Sequence, residues 1–205
     1  MFFGGGNISG RLAELLLGVP AVIWAISFHE FCHGYAALKL GDPTASVHGR
    51  LSLNPLNHFD LVGTLMLLIF GIGWAKPVPI NPYNFKHPRR DTVIVSLAGC
   101  AGNILTAFVC ARLMRFFPYL FRSYGMLLFI RAMLSCNIGL AAFNLLPIPP
   151  LDGSHILYVM LPPRFMSAWY FVERYGIFVI VLLVLTGIMS TLMMPIILFI
   201  YNIIF

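Results

Sequence analysis

Long apolar runs that lack a charged residue are the feature that most constrains this chain. Residues 175–205 contain no Asp, Glu, Lys or Arg, and a second such run follows Glu14 as far as Phe28. About 20 apolar residues are enough to cross a hydrocarbon core roughly 30 Å thick. Only 10% of the 205 residues are charged, against about 25% in a soluble domain. The chain is therefore expected to be an integral protein of the lipid bilayer.

The apolar runs predict an all-α polytopic membrane protein with a single membrane-embedded domain over 1–205. The core of this domain is expected over about 11–161, followed by a C-terminal transmembrane segment over about 175–205. The expected helices, read from the apolar runs and their Gly and Pro boundaries, are 11–40, 92–117, 134–146 and 153–161. The C-terminal segment is long enough for one kinked helix, or for one helix and a partial one that meet around Pro195.

The run 61–74 is apolar but has only 14 residues and three glycines, too few to span a bilayer. A re-entrant or interfacial segment is expected there. The flanking stretches "GRLSL" and "KPVPI" resemble short extended segments, so a short β or loop segment is expected after the first helix. Such an edge could pair with an extended peptide by β-augmentation.

The net charge of +6 does not indicate nucleic-acid binding, because the basic residues lie in short loops between apolar runs. If 61–74 does not cross, one side of the membrane carries eight of them: Lys39, Arg50, Lys76, Lys86, Arg89, Arg90, Arg164 and Arg174. The other side carries five: Arg11, Arg112, Arg115, Arg122 and Arg131. The positive-inside rule favours the cytoplasm for the first group, in a multi-pass protein of the cell (cytoplasmic) membrane.

The stretch "HEFCH", from His29 to His33, places ionisable groups inside the first apolar helix. Residues four apart lie on one face of an α-helix, so the two imidazoles can bind one Zn²⁺ with Glu30 beside it. Zinc lowers the pKa of a bound water to about 7, and Glu30 can then accept its proton. A charge at mid-bilayer costs about 2.5–3.5 kcal/mol on insertion scales, which favours a functional role over helix pairing alone.

A catalytic zinc usually has three protein ligands, and Asp152 is the acid whose surroundings stand out. It lies in "NLLPIPPLDG", where three prolines interrupt a membrane helix, and irregular backbone at that depth is tolerated only in a cavity or buried in protein. Asp152 could instead be the N-cap of the next helix, or serve both purposes.

HEFCH followed at a distance by "NLLPIPPLDG" resembles the site-2 protease family of intramembrane zinc metalloproteases, in its short prokaryotic form. "GRLSLNPLNHFDLVGT", "WAKPVPINPYNFKHPRR" and "SLAGCAGN" are also similar to that family. The resemblance implies a three-helix catalytic core that holds one zinc ion per chain through His29, His33 and Asp152, with Glu30 as the catalytic base. It also implies hydrolysis of peptide bonds in or near transmembrane segments of substrate proteins, nearer the cytoplasmic side.

Two asparagines are candidate substrate-binding residues. Asn144 matches the family asparagine in "NLLPIPPLDG", whose amide is expected to bind the substrate backbone, and Asn103 in "AGCAGN" is a weaker candidate. Cys100 stands where relatives usually carry proline, a departure expected to affect the start of its helix and not the metal site.

Two other functions use the same His29, His33 and Asp152 site. One is a zinc-transporting membrane protein, which would not need Glu30 and would usually show internal repeats; none is found in the sequence. The other is a catalytically inactive scaffold that keeps zinc for its structure. The oligomeric state is not predicted from the sequence.

Overall fold

The computed structural model describes residues 8–58, 60, 63 and 75–205, and within these ranges the protein is helical with no β-strand. The helices are α1 (Ile8–Lys39), α2 (Thr44–Val47), α3 (Pro88–Phe116), α4 (Tyr124–Asn144), α5 (Gly153–Met160), α6 (Met166–Leu185) and α7 (Ile188–Ile204). Four of them are long and apolar enough to cross a membrane, judged by length and composition: α1 from Leu16, α3, α4 and α6. The expected all-α polytopic membrane protein is confirmed.

The ends of the long helices follow from local sequence. α1 stops before Gly41, whose φ of 106° lies in a region that suits glycine. α3 begins at Pro88, and proline is favoured in the first helical turn because it has no N–H to leave unpaired. α4 begins after Ser123, whose side chain accepts a hydrogen bond from the Met126 N–H at 3.3 Å and so caps the helix.

The core is a bundle of α1, α3 and α4, which pack against one another. Small residues bring the helices close: a Cβ added at Gly102 of α3 would contact Cys32 of α1. Close approach at small residues is the usual way in which membrane helices associate. α7 covers the bundle antiparallel to α4, because Met189 packs near Leu146 while Ile200 packs near Ile138.

Two predicted boundaries were wrong. α4 begins at Tyr124, ten residues before the predicted start at Leu134, so Arg131 lies on an exposed helix face and not in a loop. A long arginine side chain can carry its charge towards the interface from a helix. The C-terminal segment begins at Met166 and forms two helices that separate at Gly187, which has a φ of 76°, while Pro195 lies inside α7.

The connection from α1 to α3 contains α2 and two short 3₁₀ turns, Pro55–His58 and Pro82–Asn84. Residues 50–53 and 75–80 form no strand, so of the expected alternatives the loop is what the described part of this connection shows. The predicted re-entrant segment at 61–74 lies outside the described residues, except for Gly63. His58 is buried in this connection, and its Nε2 donates to the Ser52 carbonyl at 2.8 Å.

Candidate metal centre

His29 and His33 point their Nε2 atoms to one place beside α1. The two Nε2 atoms are 2.9 Å apart, and both side chains are buried. Nδ1 of His33 lies 2.7 Å from the Val95 carbonyl of α3, which can only accept, so this Nδ1 carries the hydrogen. Nδ1 of His29 lies 2.7 Å from Oδ1 of Asn103 and is likewise a donor. In the neutral form of each ring Nε2 is then the nitrogen without a hydrogen, and the two Nε2 atoms face the same point.

Asp152 lies at the break between α4 and α5 and completes the group. Its Oδ2 is 3.0 Å from Nε2 of His29 and 3.2 Å from Nε2 of His33. Asp152 precedes the first residue of α5, but its side chain makes no capping hydrogen bond. Of the two predicted roles, the structure places the carboxylate with the histidines and not on the helix end.

These three residues fit a zinc ion. Their ligand atoms are 2.9–3.2 Å apart, close to the separation of about 3.3 Å expected for two ligands 2.0–2.1 Å from a tetrahedral zinc. Two imidazole lone pairs and a carboxylate oxygen at this spacing repel one another unless a cation lies between them. His29, His33 and Asp152 are accordingly the His/Cys/Asp/Glu group able to hold a metal ion among the described residues.

Gly99 of α3 makes room for this arrangement. A Cβ added there would lie 2.6 Å from Cε1 of His33 and 2.7 Å from Cε1 of His29, well inside the usual carbon–carbon contact of 3.5–4.0 Å. The backbone of α3 therefore forms the wall against which both imidazoles rest. Any residue other than glycine would place its Cβ in this space.

Glu30 lies beside the group on the same helix turn. Its Oε2 accepts a hydrogen bond from the backbone N–H of Val78 at 2.9 Å, and Oε1 has no protein partner among the described residues. Glu30, His33 and Asp152 share a cavity of about 230 Å³, whose other lining residues are Pro77, Val78, Ile80, Val95, Ser96, Pro150 and His155. A carboxylate and a metal site thus meet in one cavity.

The two predicted substrate-binding asparagines are placed differently. Asn144 ends α4, its amide donates to its own helix at the Leu140 carbonyl (3.1 Å), and it does not line the cavity. Asn103 is fully buried, and its amide is engaged with His29, Ala25 and Asn137. Substrate binding by either residue stays a prediction.

One contact near the metal group differs from what the sequence predicts. Cys100 was expected to leave the metal site unaffected, but its thiol lies 3.8 Å from Oδ2 of Asp152 as a hydrogen-bond donor. Cys32 faces Gly102 and is not in the metal group. All four cysteines are free.

Sequence reasoning missed the residues that act through backbone atoms or through a second amide. The Val95 carbonyl and the Val78 N–H are backbone groups that almost every residue type has, so the identity of the side chain does not indicate their role. Asn137 lies in an apolar helix, and an amide buried in a membrane helix is a signal that could have identified it.

The comparisons with known proteins agree with this geometry. Residues 120–187 match the family model "Peptidase family M50". The chain is 38% identical over 187 residues to "Putative zinc metalloprotease YwhC" of Bacillus subtilis, covering 86% of this chain and 84% of that protein. No solved structure matches the chain significantly.

Two further relatives carry names of the same kind. "Putative zinc metalloprotease Rip2" of Mycolicibacterium smegmatis is 28% identical over 178 residues, covering 83% of this chain and 67% of that protein. "Putative zinc metalloprotease MJ0611" of Methanocaldococcus jannaschii is 30% identical over 143 residues, covering 69% of each chain. On the strength of the YwhC match and the His-His-Asp group, the chain belongs to peptidase family M50, the site-2 protease family of zinc metalloproteases.

Proposed function

We propose that this protein is an intramembrane zinc endopeptidase that hydrolyses peptide bonds in or near transmembrane segments of other proteins. The observation that carries the proposal is the convergence of three ligand atoms within 3.2 Å of one another at a cavity that Glu30 also lines. A transporter would not need a carboxylate held beside the metal site, and a structural zinc site would be closed by a fourth ligand. Among the described residues no fourth His, Cys, Asp or Glu joins the group.

The protein residues have separate tasks in this reaction. His29, His33 and Asp152 would hold the zinc ion. When bound, zinc acts as a Lewis acid that would polarise a carbonyl and lower the pKa of water. Glu30 would accept a proton from the attacking water through Oε1, which has no protein partner among the described residues, and return it to the leaving amine. The Val78 N–H holds the other oxygen of this carboxylate, so that the base does not have to be oriented during each turnover.

The substrate is proposed to arrive as an extended or locally unwound transmembrane segment. A helix hides its carbonyls in internal hydrogen bonds, so a peptide bond becomes accessible only where the helix opens. The cavity wall formed by Pro77, Val78 and Ile80 belongs to the loop where pairing with an extended peptide is predicted. The loop is also on the side with more basic residues, which supports an active site nearer the cytoplasmic face of the cell membrane.

Purified protein incubated with a model transmembrane peptide tests the proposal. Wild-type protein with zinc is expected to cleave the peptide, whereas Glu30→Gln and chelator-treated protein are not. Gln can still accept the Val78 N–H, so this variant should keep its fold and its zinc and lose only the proton acceptor. We expect a loss of at least about 100-fold in cleavage rate, since general acid–base catalysis contributes 10²–10⁴-fold.

The other two functions predict different outcomes in the same assay. Equal cleavage by wild type, Glu30→Gln and the chelated protein would exclude the protease. Stoichiometric zinc without cleavage of any of a panel of transmembrane peptides would indicate the scaffold. Zinc uptake into sealed vesicles that depends on His29 but not on Glu30 would indicate the transporter.

A further inference from the structure

Two buried asparagines connect the metal centre to α4. This helix itself supplies no zinc ligand, since Asp152 lies in the break that follows it. Asn103 of α3 and Asn137 of α4 are both 0% exposed, and neither lines the cavity. An amide buried in a membrane bundle is costly unless each of its polar atoms finds a partner. The hydrogen bonds of these two amides form a chain that ends at His29.

The orientation of each amide is determined by a backbone carbonyl. Nδ2 of Asn137 lies 2.8 Å from the Met133 carbonyl, which can only accept, so Oδ1 of Asn137 must point the other way. That Oδ1 accepts from Nδ2 of Asn103 at 2.9 Å. Nδ2 of Asn103 also donates to the Ala25 carbonyl at 2.9 Å, which uses both of its hydrogens.

The consequence reaches the metal ligand. With both Nδ2 hydrogens engaged, Oδ1 of Asn103 faces Nδ1 of His29 at 2.7 Å and can only accept from it. His29 is therefore held as the tautomer with hydrogen on Nδ1, the one that leaves the Nε2 lone pair for a metal. If the Asn103 amide were reversed, its N–H₂ would face Nδ1 and favour the opposite tautomer, which cannot bind zinc through Nε2.

We propose that Asn103 and Asn137 form a positioning pair that fixes the tautomer and ring orientation of His29 and so couples α4 to the zinc site. Asn103 acts directly on the ligand, and Asn137 acts through Asn103. Neither residue is required to touch substrate. The inference rests on zinc being held by His29, His33 and Asp152, as in the proposed function, but it does not depend on what the enzyme cleaves.

Zinc affinity, measured by competition with a chromophoric chelator, is the first test. Asn103→Leu is expected to weaken zinc binding by about 10–100-fold, the usual cost of losing a partner of a metal-binding histidine. Asn103→Asp still offers an acceptor to Nδ1 but loses the two amide donors, so its zinc affinity should lie between those of Asn103→Leu and the wild type. Asn137→Leu should weaken binding less than Asn103→Leu does, because the Ala25 carbonyl still holds the Asn103 amide.

Coupling between the two positions separates the pair from a general loss of packing. In the Asn103→Leu background, Asn137→Leu should cause no further loss of zinc affinity. Ile138→Ala is the matched control, since Ile138 is buried beside Asn137 in sequence but packs in an apolar cluster. It should lower thermal stability and leave zinc affinity unchanged. Additive effects of the two asparagine variants, or a loss in Ile138→Ala as large as that in Asn137→Leu, would overturn the proposal.

The tautomer can be read without any activity assay. Imidazole ¹⁵N spectra of the zinc-free protein, with His29 assigned by comparison with His29→Gln, should show hydrogen on Nδ1 of His29 in the wild type and a mixture in Asn103→Leu. An unchanged His29 spectrum in Asn103→Leu would contradict the proposal. A failure of the proposed protease function would instead leave this spectrum as expected while no peptide is cleaved.

Discussion

At the scale of single residues, the metal centre depends on the absence of a side chain at Gly99. Gly99 lets the backbone of α3 lie directly against both imidazoles, which limits the positions that the two rings can take. The Nδ1 bond from His33 to the Val95 carbonyl, one turn earlier on α3, holds the same ring from its other side. The geometry of the ligands is thus a property of the helix pair and not of α1 alone.

Replacing Gly99 by alanine is predicted to weaken zinc binding. The added methyl group would overlap Cε1 of both histidines, so either the rings rotate away from their acceptors or α3 moves outward. We expect zinc affinity to fall by more than about 10-fold, the lower end of what misplaced ligand partners cost, with cleavage lost in parallel. Chelator competition and the peptide assay measure the two effects.

Gly139→Ala is the matched control for this substitution. Gly139 also lies inside a long helix, but a Cβ there would meet nothing within 4 Å. Alanine at that position should leave zinc binding unchanged and raise stability by about 0.5–1 kcal/mol, since glycine weakens a helix interior. Zinc bound by Gly99→Ala as tightly as by Gly139→Ala would show that α3 does not confine the histidines.

At the scale of elements, the cavity wall is held in place by a buried carboxylate outside the long helices. Asp42, which follows α1, is 0% exposed. Its Oδ2 accepts from the Asn81 N–H at 2.7 Å, and its Oδ1 accepts from the Asn84 amide at 2.7 Å and from the hydroxyl and N–H of Thr44. Asp42 thereby joins the end of α1 to the loop that carries Val78 and leads into α3.

The hydrogen bonds of Asp42 also predict a pH dependence of stability. Burial alone would raise the pKa of this carboxyl, but the bonds from Thr44, Asn81 and Asn84 outweigh it and hold the pKa below its ordinary value. A group whose pKa is lower in the folded state stabilises the protein above its unfolded pKa of about 3.9. This stabilisation is lost as the pH falls through the folded pKa.

Thermal unfolding in detergent between pH 7 and pH 3 tests this prediction. Wild-type stability should fall below about pH 4, where the unfolded state begins to bind protons. Asp42→Asn should be less stable at pH 7 by about 2 kcal/mol, since an amide hydrogen would face a donor in place of a charged acceptor, and should lose part of the acid dependence. Glu173→Gln, at an exposed position of α6, should match the wild type; an Asp42→Asn profile parallel to the wild type would exclude this role for Asp42.

At the scale of the whole molecule, the metal centre joins parts of the chain that are far apart in sequence. His29 and His33 come from α1, and Asp152 lies 119 residues after His33, at the end of the bundle where α6 also packs. A Cβ added at Gly176 of α6 would collide with the Pro149 carbonyl, so α6 rests directly on the break that presents Asp152. Zinc would therefore link α1 to the C-terminal half of the protein.

Zinc removal is accordingly predicted to lower the thermal stability of the whole bundle. A ligand that binds only the folded state stabilises it by about 2.7 kcal/mol when its concentration is 100 times Kd. Melting of the chelated protein, followed by circular dichroism, should occur at a lower temperature and be restored by added zinc. His29→Ala should melt at one temperature with or without zinc, whereas Glu30→Gln should respond as the wild type does.

A zinc-independent melting temperature in the wild type would contradict this link. A zinc-independent melting temperature in Glu30→Gln, with a zinc-dependent one in the wild type, would show that Glu30 contributes to holding the metal and is not only a proton acceptor.

Whether a feature of this site can be predicted from the sequence depends on how far apart in the chain the contacting residues lie. The pairing of His29 with His33 and the position of Glu30 follow from helical spacing, which is local. The start of α4 at Tyr124 does not follow from the apolar pattern, because a charged residue such as Arg131 is typical of a loop, although a helix surface also tolerates it. The contact of Cys100 with Asp152 does not follow from the sequence, because the two residues lie on different segments.

The sequence by itself determined that the chain is a multi-pass membrane protein with a two-histidine metal motif on its first helix, because apolar length and the spacing of four residues act within single helices. The proline-rich helix break also made Asp152 a candidate third ligand, and the family resemblance added the protease function. Only the tertiary structure decided that Asp152 faces the histidines and does not cap α5, that Gly99 confines the two rings, and that Asn103 and Asn137 orient His29. These depend on how α1, α3 and α4 pack, and packing between distant segments is not encoded in the spacing within any one of them.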